Sequence, residues 1–314
     1  MNTYTLLKPL AFSLHYAISQ SKLVTKLYIK LLSFLLKPIP HYGIKKRIVN
    51  SINMLKWPKV ELEPQQVKVG SSTAIKLIPH FQEFDLESVV STTLGYESEV
   101  FSYLEQHMAD YDAVIEIGAN VGVFSIFFSQ CFRHYNKPGA NIFVFEPSRE
   151  AYLRLLKNIE INEASNIQAF NCAIGSEVDF LNFFEPEGHL TNGSLSSHFA
   201  EIFSKSISTT KALVISGHLL EKLVESSENI LLKIDVEGAE FEVLTSLEEL
   251  IKNKKPTLLI EVLPDYQDKL NQLNFLFSEN YSFFNITDAG LVKHEKFEAS
   301  QFRDYVLLPP NKQQ

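Results

Sequence analysis

From Asp112 to Leu308, short apolar runs alternate with longer segments whose apolar residues recur at helical spacing. This alternation predicts an α/β fold in which helices cover both faces of a mostly parallel sheet. Seven strands are predicted, at Val114–Ile117, Asn141–Phe145, Ile167–Asn171, Ile230–Ile234, Thr257–Val262, Tyr281–Thr287 and Arg303–Leu308. Helices are predicted at Val121–Phe132, Arg149–Glu160, Ala239–Lys252 and Asp265–Glu279. The stretch from Cys172 to about Ser208 follows neither period, so we expect an irregular connection there.

Before Asp112, the apolar residues do not alternate between strand and helix spacing in the same way. Helices are predicted over Leu23–Leu36 and Tyr42–Leu55, separated by the proline-bearing stretch Lys37-Pro38-Ile39-Pro40. Gln66–Pro79 alternates like a hairpin with Gly70-Ser71 at its turn, and Phe84–His107 returns to helical spacing. The predicted organisation is therefore a helical extension (1–60), a hairpin and helix (61–110) and a main domain (111–314).

Charge is unevenly distributed along the chain. The first 60 residues contain no Asp or Glu, although the whole chain has 37 acidic residues and a net charge of −8. A basic arm on an acidic body indicates attraction to an anionic surface. The basic residues of this arm are Lys8, Lys22, Lys26, Lys30, Lys37, Lys45, Lys46, Arg47, Lys56 and Lys59.

Three roles are open for this arm. Met1 to Gln20 lacks the order of a signal peptide, and Lys26 and Lys30 interrupt the best candidate for a spanning helix. The lysine-bearing helix could lie flat in a lipid interface, giving peripheral membrane contact through residues 1–60. It could instead pack its apolar stripe on the main domain. Nucleic-acid contact is the third possibility, but the acidic body argues against an extended nucleic-acid surface, so we expect no nucleic-acid partner.

The two cysteines, Cys131 and Cys172, both lie in apolar sequence. They are too few for a disulfide framework and are expected to be small buried side chains. This usage is typical of a reducing compartment, so we expect a cytoplasmic protein.

The turn Gly118-Ala119-Asn120-Val121-Gly122 joins the first predicted strand of the main domain to a helix. It departs from the dinucleotide pattern G-x-G-x-x-G, because Asn120 stands where the second glycine would let backbone approach a pyrophosphate. Glu116, just before the turn, repels phosphate and attracts a cation or an ammonium group. These features argue against a nicotinamide dehydrogenase, while a purely structural turn stays open.

Two further acids end predicted strands. Glu146 follows the second strand, where a carboxylate can accept hydrogen bonds from the vicinal hydroxyls of a ribose. A ribonucleoside with a cationic tail that lacks phosphate fits both Glu146 and Glu116, and S-adenosylmethionine is such a molecule. Asp235 ends a later strand at the edge where ligands bind in open parallel sheets, and Glu237 follows it.

At this point the sequence resembles the FkbM family of methyltransferases over roughly Val67 to Leu308. The resemblance rests on Tyr96-Glu97-x-Glu99, Glu116-Ile117-Gly118-Ala119-Asn120-Val121-Gly122, Phe145-Glu146-Pro147, Asn171-Cys172-Ala173-Ile174-Gly175, Lys233-Ile234-Asp235-Val236-Glu237-Gly238-Ala239-Glu240 and Ile260-Glu261. One departure is Ser216-Gly217-His218-Leu219-Leu220, which stands where the family pattern has Thr-Leu-Asp, so a role for that aspartate is in doubt.

The resemblance implies a class I, Rossmann-like fold and an S-adenosylmethionine-dependent O-methyltransferase, many relatives acting on sugars or other natural-product hydroxyls. The acceptor implied is a small molecule or a glycan. The implied cofactor-binding residues are Tyr96, Glu97, Glu99, Glu116, Gly118, Asn120, Gly122, Glu146, Asn171, Ala173 and Asp235.

Methyl transfer to a hydroxyl needs in-line positioning and a general base. Asp235 is the best placed candidate and Glu237 the next, with His189 and His218 as weaker ones. The polar segment Gly188–His198 is a candidate acceptor lid, with a solvated loop as the alternative.

We expect no metal, because a Mg²⁺-dependent catechol-type enzyme needs several clustered acids and only Asp235 and Glu237 offer themselves. A cofactor-binding or membrane-docking scaffold without catalysis and a methyltransferase of lipid-linked acceptors are further alternatives.

Overall fold

The computed structural model describes residues 16–187, 193–277, 281–298 and 300–312. The chain divides into two compact units. The described residues of 1–68 and 76–96 form the first unit, and those of 69–75 and 97–314 form the second. None of the helices within the described residues combines the length and the apolar character needed to cross a bilayer.

The first unit is mainly helical. Its helices are α1 (Lys22–Leu36), α2 (Tyr42–Asn53) and the short α3 (Glu87–Val90), which follows a 3-10 turn. Ser21 caps α1, because its side-chain oxygen accepts a hydrogen bond from the backbone N–H of Val24. Buried side chains from all three helices share one apolar core: Ile29, Leu36, Val49, Ile52, Leu62, Leu86, Val89 and Val90. The two predicted N-terminal helices are present, and so is the hairpin, as strands β1 (Gln65–Val69) and β2 (Thr73–Leu77) of a two-stranded sheet. The helical stretch predicted at Phe84–His107 is interrupted between Val90 and Ser98.

The second unit contains the remaining elements. Its strands are β3 (Ala113–Ile117), β4 (Asn141–Phe145), β5 (Ile167–Phe170), β6 (Ala173–Gly175), β7 (Asp179–Pro186), β8 (Ile207–Ser216), β9 (Ile230–Ile234), β10 (Thr257–Glu261), β11 (Ser282–Thr287), β12 (Gly290–His294) and β13 (Asp304–Leu308). Its helices are α4 (Ser98–His107), α5 (Val123–His134), α6 (Arg149–Ile161), α7 (Ser197–Phe203), α8 (Leu220–Leu223), α9 (Glu240–Ser246), α10 (Glu248–Lys254), α11 (Gln267–Leu270) and α12 (Asn274–Phe277).

The central sheet has the order β12-β11-β13-β10-β9-β3-β4-β5. Strands β10, β9, β3, β4 and β5 pair in parallel, whereas β13 and β12 run antiparallel to their neighbours. The α/β prediction is confirmed, but the predicted count of seven strands is wrong, because the sheet has eight strands of mixed orientation. The missed strand β12 lies at the edge and is almost wholly exposed, so its sequence carries no buried face to reveal it.

Both faces of the sheet are buried. All five residues of β3 and all five of β9 are buried, which explains why these strands have continuous apolar sequence rather than alternation. On one face, strand residues such as Ile115, Leu232 and Ile260 share a core with residues of α9, α10 and α12. On the other face, Glu116 and Lys233 contact residues of α5.

Two stretches differ from prediction. The stretch predicted to be irregular contains strands among its described residues: β6, β8 and β7 form a separate three-stranded sheet, in which β8 pairs with both neighbours. Most residues of β7 and β8 are exposed or half-buried, so they lack the alternation that indicates a strand. The helices predicted at Ala239–Lys252 and Asp265–Glu279 are divided into short helices, the first at Leu247. Residues 278–280 lie outside the described residues.

Candidate functional site

The turn after β3 depends on a glycine at residue 118. Gly118 has φ +88, and a Cβ built there would lie 1.7 Å from the backbone oxygen of Asp235. The two strand ends are joined here, because the backbone N–H of Asp235 donates to the carbonyl oxygen of Ile117 at 3.0 Å. Any side chain at residue 118 would separate β3 from β9, so this glycine permits the close approach that forms the floor of the site.

Two further residues of the turn are also in left-handed conformation. Asn120 has φ +51, which asparagine tolerates better than most residues. Gly122 has φ +86 and begins α5, and a Cβ built on it would meet Leu155 at 2.3 Å. The turn therefore needs the small residues that the sequence provides.

Glu146, at the end of β4, holds this turn. One carboxylate oxygen accepts from the backbone N–H of Asn120 and the other from that of Ser148, each at 2.7 Å. Burial raises the pKa of Glu146 to about 7, although these two hydrogen bonds oppose the rise. Each carboxylate oxygen can accept a second hydrogen bond, so Glu146 can hold the turn and bind hydroxyl groups at the same time.

Glu116 lies beneath the turn rather than on its surface. Its side chain is buried and accepts a hydrogen bond from Ser125 of α5 at 2.5 Å. Burial raises its pKa to about 7, and the nearby ammonium group of Lys233 limits the rise. The predicted contact of Glu116 with a ligand stays a prediction, while its contact within the protein is to the helix that follows the turn.

Lys233 of β9 is a buried lysine inside the site. Its Nζ lies 2.8 Å from a carboxylate oxygen of Asp235 and 4.4 Å from the ring centre of Phe124. Burial by itself lowers the pKa of Lys233, but the charges of Asp235 and Glu116 outweigh it and the pKa is raised. Lys233 is therefore a fixed cation that orients the Asp235 carboxylate.

Three acids converge at the carboxyl ends of β9 and β10. Asp235, Glu237 and Glu261 each offer a carboxylate oxygen, and these atoms lie within 4.8 Å of one another. Such an arrangement suits a positively charged group, either a divalent cation or an organic cation. Only Asp235 and Glu237 were predicted to cluster, so Glu261 corrects the expectation that too few acids meet here.

The acids of this region raise one another's pKa values. Burial, with the charge of Asp235, raises the pKa of Glu237 to about 9 and that of Glu261 to about 10. Burial, with the charge of Glu97, raises the pKa of Asp304 well above its usual range. Lys233 and Arg303 compensate only in part; Arg303 lies 3.6 Å from a carboxylate oxygen of Glu261. The region consequently retains protons at neutral pH and favours an incoming cation.

Three predicted cofactor residues, Tyr96, Glu97 and Glu99, lie at or just before the start of α4. Glu97 is in left-handed conformation just before α4, and its charge acts on Lys233, Glu261 and Asp304. Glu99 accepts a hydrogen bond from Ser98 at 3.2 Å in the first turn of α4. Tyr96 belongs to the first unit, where its ring stacks on Phe84.

Asn171 and Ala173, two predicted cofactor residues that follow β5, contact other parts of the protein. The side-chain amide of Asn171 donates to the carbonyl oxygens of Glu146 and Pro147, at 2.8 and 3.2 Å. Asn171 thus fixes the segment that carries Glu146. Ala173 is buried in β6, where it pairs with Val214 of β8.

Part of the candidate lid adjoins the acids. Residues 188–192, including the candidate base His189, lie outside the described residues. Ser194 is buried, and its hydroxyl donates to the backbone oxygen of Glu237 at 2.8 Å. The other histidine candidate, His218, lies in a 3-10 turn after β8.

Sequence reasoning missed three residues of this site: Lys233, Glu261 and Tyr266. Lys233 could have been found, because a lysine inside the run Ile-Leu-Leu-Lys-Ile must be buried with a partner. Glu261 ends a predicted strand and offered the same signal as Asp235. Tyr266 had no signal: its ring would lie 2.6 Å from a Cβ on Gly238, which has φ +97.

The sheet is largely parallel and its strand order reverses between β3 and β9, where a glycine turn and carboxylates follow adjacent strands. This is the architecture of the Rossmann-like fold. The family is given by comparison with known proteins. Residues 116–289 match the model of the Methyltransferase FkbM domain, more than half of the chain. The chain therefore belongs to the FkbM family of methyltransferases, and the predicted resemblance is confirmed.

Individual relatives are more distant. Methyltransferase 1 of Beauveria bassiana is 27% identical over 154 residues, which are 45% of this chain and 60% of the relative. Hexuronic acid methyltransferase AglP of Haloferax volcanii is 28% identical over 155 residues, 48% of this chain and 56% of the relative. The chain thus matches about 60% of the length of these relatives. The crystal structure of methyltransferase FkbM from Methylobacillus flagellatus has 17% identity and a TM-score of 0.40, covering 63% of this chain and 43% of that one.

Proposed function

We propose that this protein is an S-adenosylmethionine-dependent O-methyltransferase that acts on a hydroxyl group of a sugar, a glycan or another natural product. The observation that carries the proposal is the placement of Glu146 beside a glycine turn, with Asp235, Glu237 and Glu261 at the ends of neighbouring strands. This arrangement offers a hydroxyl-binding carboxylate and a cation-binding group of acids on one edge of the sheet.

The residues fit this cofactor. Glu146 has capacity to accept from ribose hydroxyls while it keeps its two backbone hydrogen bonds. The acids around Asp235 favour a sulfonium or ammonium group, because a bound cation stabilises the charged carboxylates of Glu237 and Glu261, which otherwise retain their protons. When bound, the cofactor supplies an activated methyl group.

The chain's own residues divide the remaining work. Asp235 is held by Lys233 at 2.8 Å, so we assign it to orienting the cationic group. Glu237 is the carboxyl group we assign to accept the acceptor's hydroxyl proton. Its pKa is raised to about 9, so it takes this role only after a bound cation has lowered that pKa and released its proton. Ser194 fixes the backbone of Glu237.

A sugar hydroxyl is the acceptor class we favour, supported by the relative whose name gives hexuronic acid as its acceptor. The two buried free cysteines support a reducing, cytoplasmic location.

Calorimetric titration with S-adenosylmethionine and S-adenosylhomocysteine tests the cofactor. Glu146→Gln removes the charge but keeps an acceptor, and we expect about ten- to hundredfold weaker binding, since hydrogen bonds to a charged group contribute about 1.5–3 kcal/mol. The control is Glu160→Gln, an exposed carboxylate on α6. Binding of neither ligand to the wild type contradicts the proposal, and unchanged affinity of Glu146→Gln removes Glu146 from the site.

Transfer of a labelled methyl group to neutral sugars, uronic acids and lipid-linked saccharides then tests the reaction. Binding without transfer to any of them would favour a non-catalytic scaffold. Adding EDTA and then Mg²⁺ distinguishes an organic cation from a divalent one at the three acids. Turnover that EDTA abolishes and Mg²⁺ restores would indicate a metal-dependent enzyme.

A further inference from the structure

Helix α1 is apolar on two opposite sides. Its inner side packs into the core of the first unit through Ile29 and Leu36, with the half-buried Tyr28 and Leu32 beside them. Thr25 is buried on the same side, and its hydroxyl donates to the carbonyl oxygen of Ile18. This side of α1 therefore packs within the first unit.

The outer side of α1 is a second apolar surface, which we call the outer stripe. Its six side chains are between 43% and 78% exposed: Leu23, Val24, Leu27, Leu31, Phe34 and Leu35. At about 100° per residue, these positions fall within one arc of roughly 120° opposite the buried side. A row of six exposed large apolar side chains is more than the scattered single ones of an ordinary surface.

Charge borders the outer stripe on one flank. Lys22, Lys26 and Lys30 are exposed and follow one another at four-residue spacing, between the outer stripe and the buried side. The first 60 residues contain no carboxylate to compensate them. An apolar arc flanked by lysines is the pattern of a helix that lies in the plane of a lipid interface.

We propose that the outer stripe docks on an anionic bilayer surface, with the apolar arc in the interfacial region and the lysines against lipid headgroups. The positive charge of the three lysines favours an anionic bilayer over a second copy of the chain as the partner of the outer stripe. In an isologous dimer with antiparallel α1 helices, the two rows of lysines would lie on the same side of the interface and repel each other. The proposal is independent of the methyl-transfer reaction, because it uses only residues of the first unit.

Co-sedimentation of the full chain with vesicles tests this surface. One set of vesicles contains phosphatidylcholine alone and the other contains phosphatidylcholine with phosphatidylglycerol. We expect binding to the second set at low salt and weaker binding as salt is raised. Lys26→Gln with Lys30→Gln is expected to weaken binding about 30-fold, since each basic residue near an anionic surface contributes about fivefold.

Leu27→Gln with Leu31→Gln tests the apolar arc, and both side chains are exposed, so the fold is not at risk. We expect loss of vesicle binding with an unchanged melting temperature. The matched control is Phe180→Gln, an equally exposed apolar residue at the start of β7, which should bind as the wild type does.

Two results would overturn the proposal. The first is equal pelleting of the wild type and of Leu27→Gln with Leu31→Gln. The second is a wild-type dimer, seen by sedimentation velocity without vesicles, that this double variant dissociates, because the outer stripe would then be covered by a second copy.

Discussion

Glu146 makes contacts within the protein that its position in the sequence did not predict. The sequence predicts a ribose ligand, whereas the structure shows a carboxylate that also ties the backbone of Asn120 and Ser148. Replacement by alanine would leave two buried N–H groups without their acceptor and would damage the turn as well as binding. Replacement by glutamine is therefore the sharper experiment at this residue.

Lys233 is the residue whose role we infer from the structure alone, as a positioning residue for Asp235. We predict that Lys233→Met lowers kcat by about tenfold or more and moves the acid limb of the pH–rate profile upward by about one pH unit. The reason is that Lys233 lowers the pKa values of Glu116 and Glu237, so removing the cation raises both and favours their protonated forms. The measurement is the pH dependence of kcat, with thermal unfolding as a check on the fold.

Two variants accompany this experiment. Lys233→Arg keeps the charge and should retain a near wild-type pH profile. Lys293→Met removes an exposed lysine of the edge strand β12 and should change nothing. A lower kcat in Lys233→Met with an unshifted pH profile would show that Lys233 acts through packing rather than charge.

At the scale of elements, the junction of β3, β4 and β9 decides whether the site exists. The backbone N–H groups of Gly118 and Ala119 donate to the carbonyl oxygen of Phe145, and that of Asp235 donates to Ile117. These bonds place three strand ends side by side, so the residues that follow them converge.

We predict that Gly118→Ala destabilises the protein by about 3 kcal/mol or more and abolishes cofactor binding. The added Cβ would meet backbone at 1.7 Å, and alanine is strained at φ +88. Chemical denaturation measures the stability, and calorimetric titration measures the binding. The control is Gly139→Ala, where a Cβ meets nothing within 4 Å, and it should behave as the wild type. Similar stability of both variants would mean that the junction can open without cost.

At the scale of the whole molecule, acids far apart in sequence share one electrostatic environment. Glu97, Asp235, Glu261 and Asp304 come from the start of α4 and from three different strands. The charges of Glu97 and Asp235 raise the pKa values of Glu261 and Asp304. Because the folded-state pKa values of Glu237 and Glu261 lie near 9 and 10, these groups hold protons at about pH 8. A bound cation would lower those values and expel protons.

We predict that binding of S-adenosylmethionine at about pH 8 releases on the order of one proton, and that S-adenosylhomocysteine, which lacks the sulfonium charge, releases fewer. Titration calorimetry in buffers of different ionisation enthalpy gives the number of protons. Glu237→Gln should reduce the release. An equal release with both ligands would mean that the sulfonium does not bind near these acids.

Local patterns in the sequence determined much of this protein. Apolar runs predicted the five parallel strands, most clearly β3 and β9, in which every residue is buried. The residues Gly118, Asn120 and Gly122 predicted a turn unlike that of dinucleotide enzymes. The same patterns missed β7, β8 and β12, whose exposed residues carry no period.

Only the tertiary structure decided which side chains meet at the site and which helix surfaces stay exposed. Periodicity depends on near neighbours along the chain. The alignment of the strands decides that Lys233 contacts Asp235 and that Glu261 lies beside Asp235 and Glu237. The packing of α1 decides which of its two apolar sides is covered. The sequence by itself therefore determined the strands and the turn at which we propose that the cofactor binds. The tertiary structure decided which charged side chains meet beside that turn.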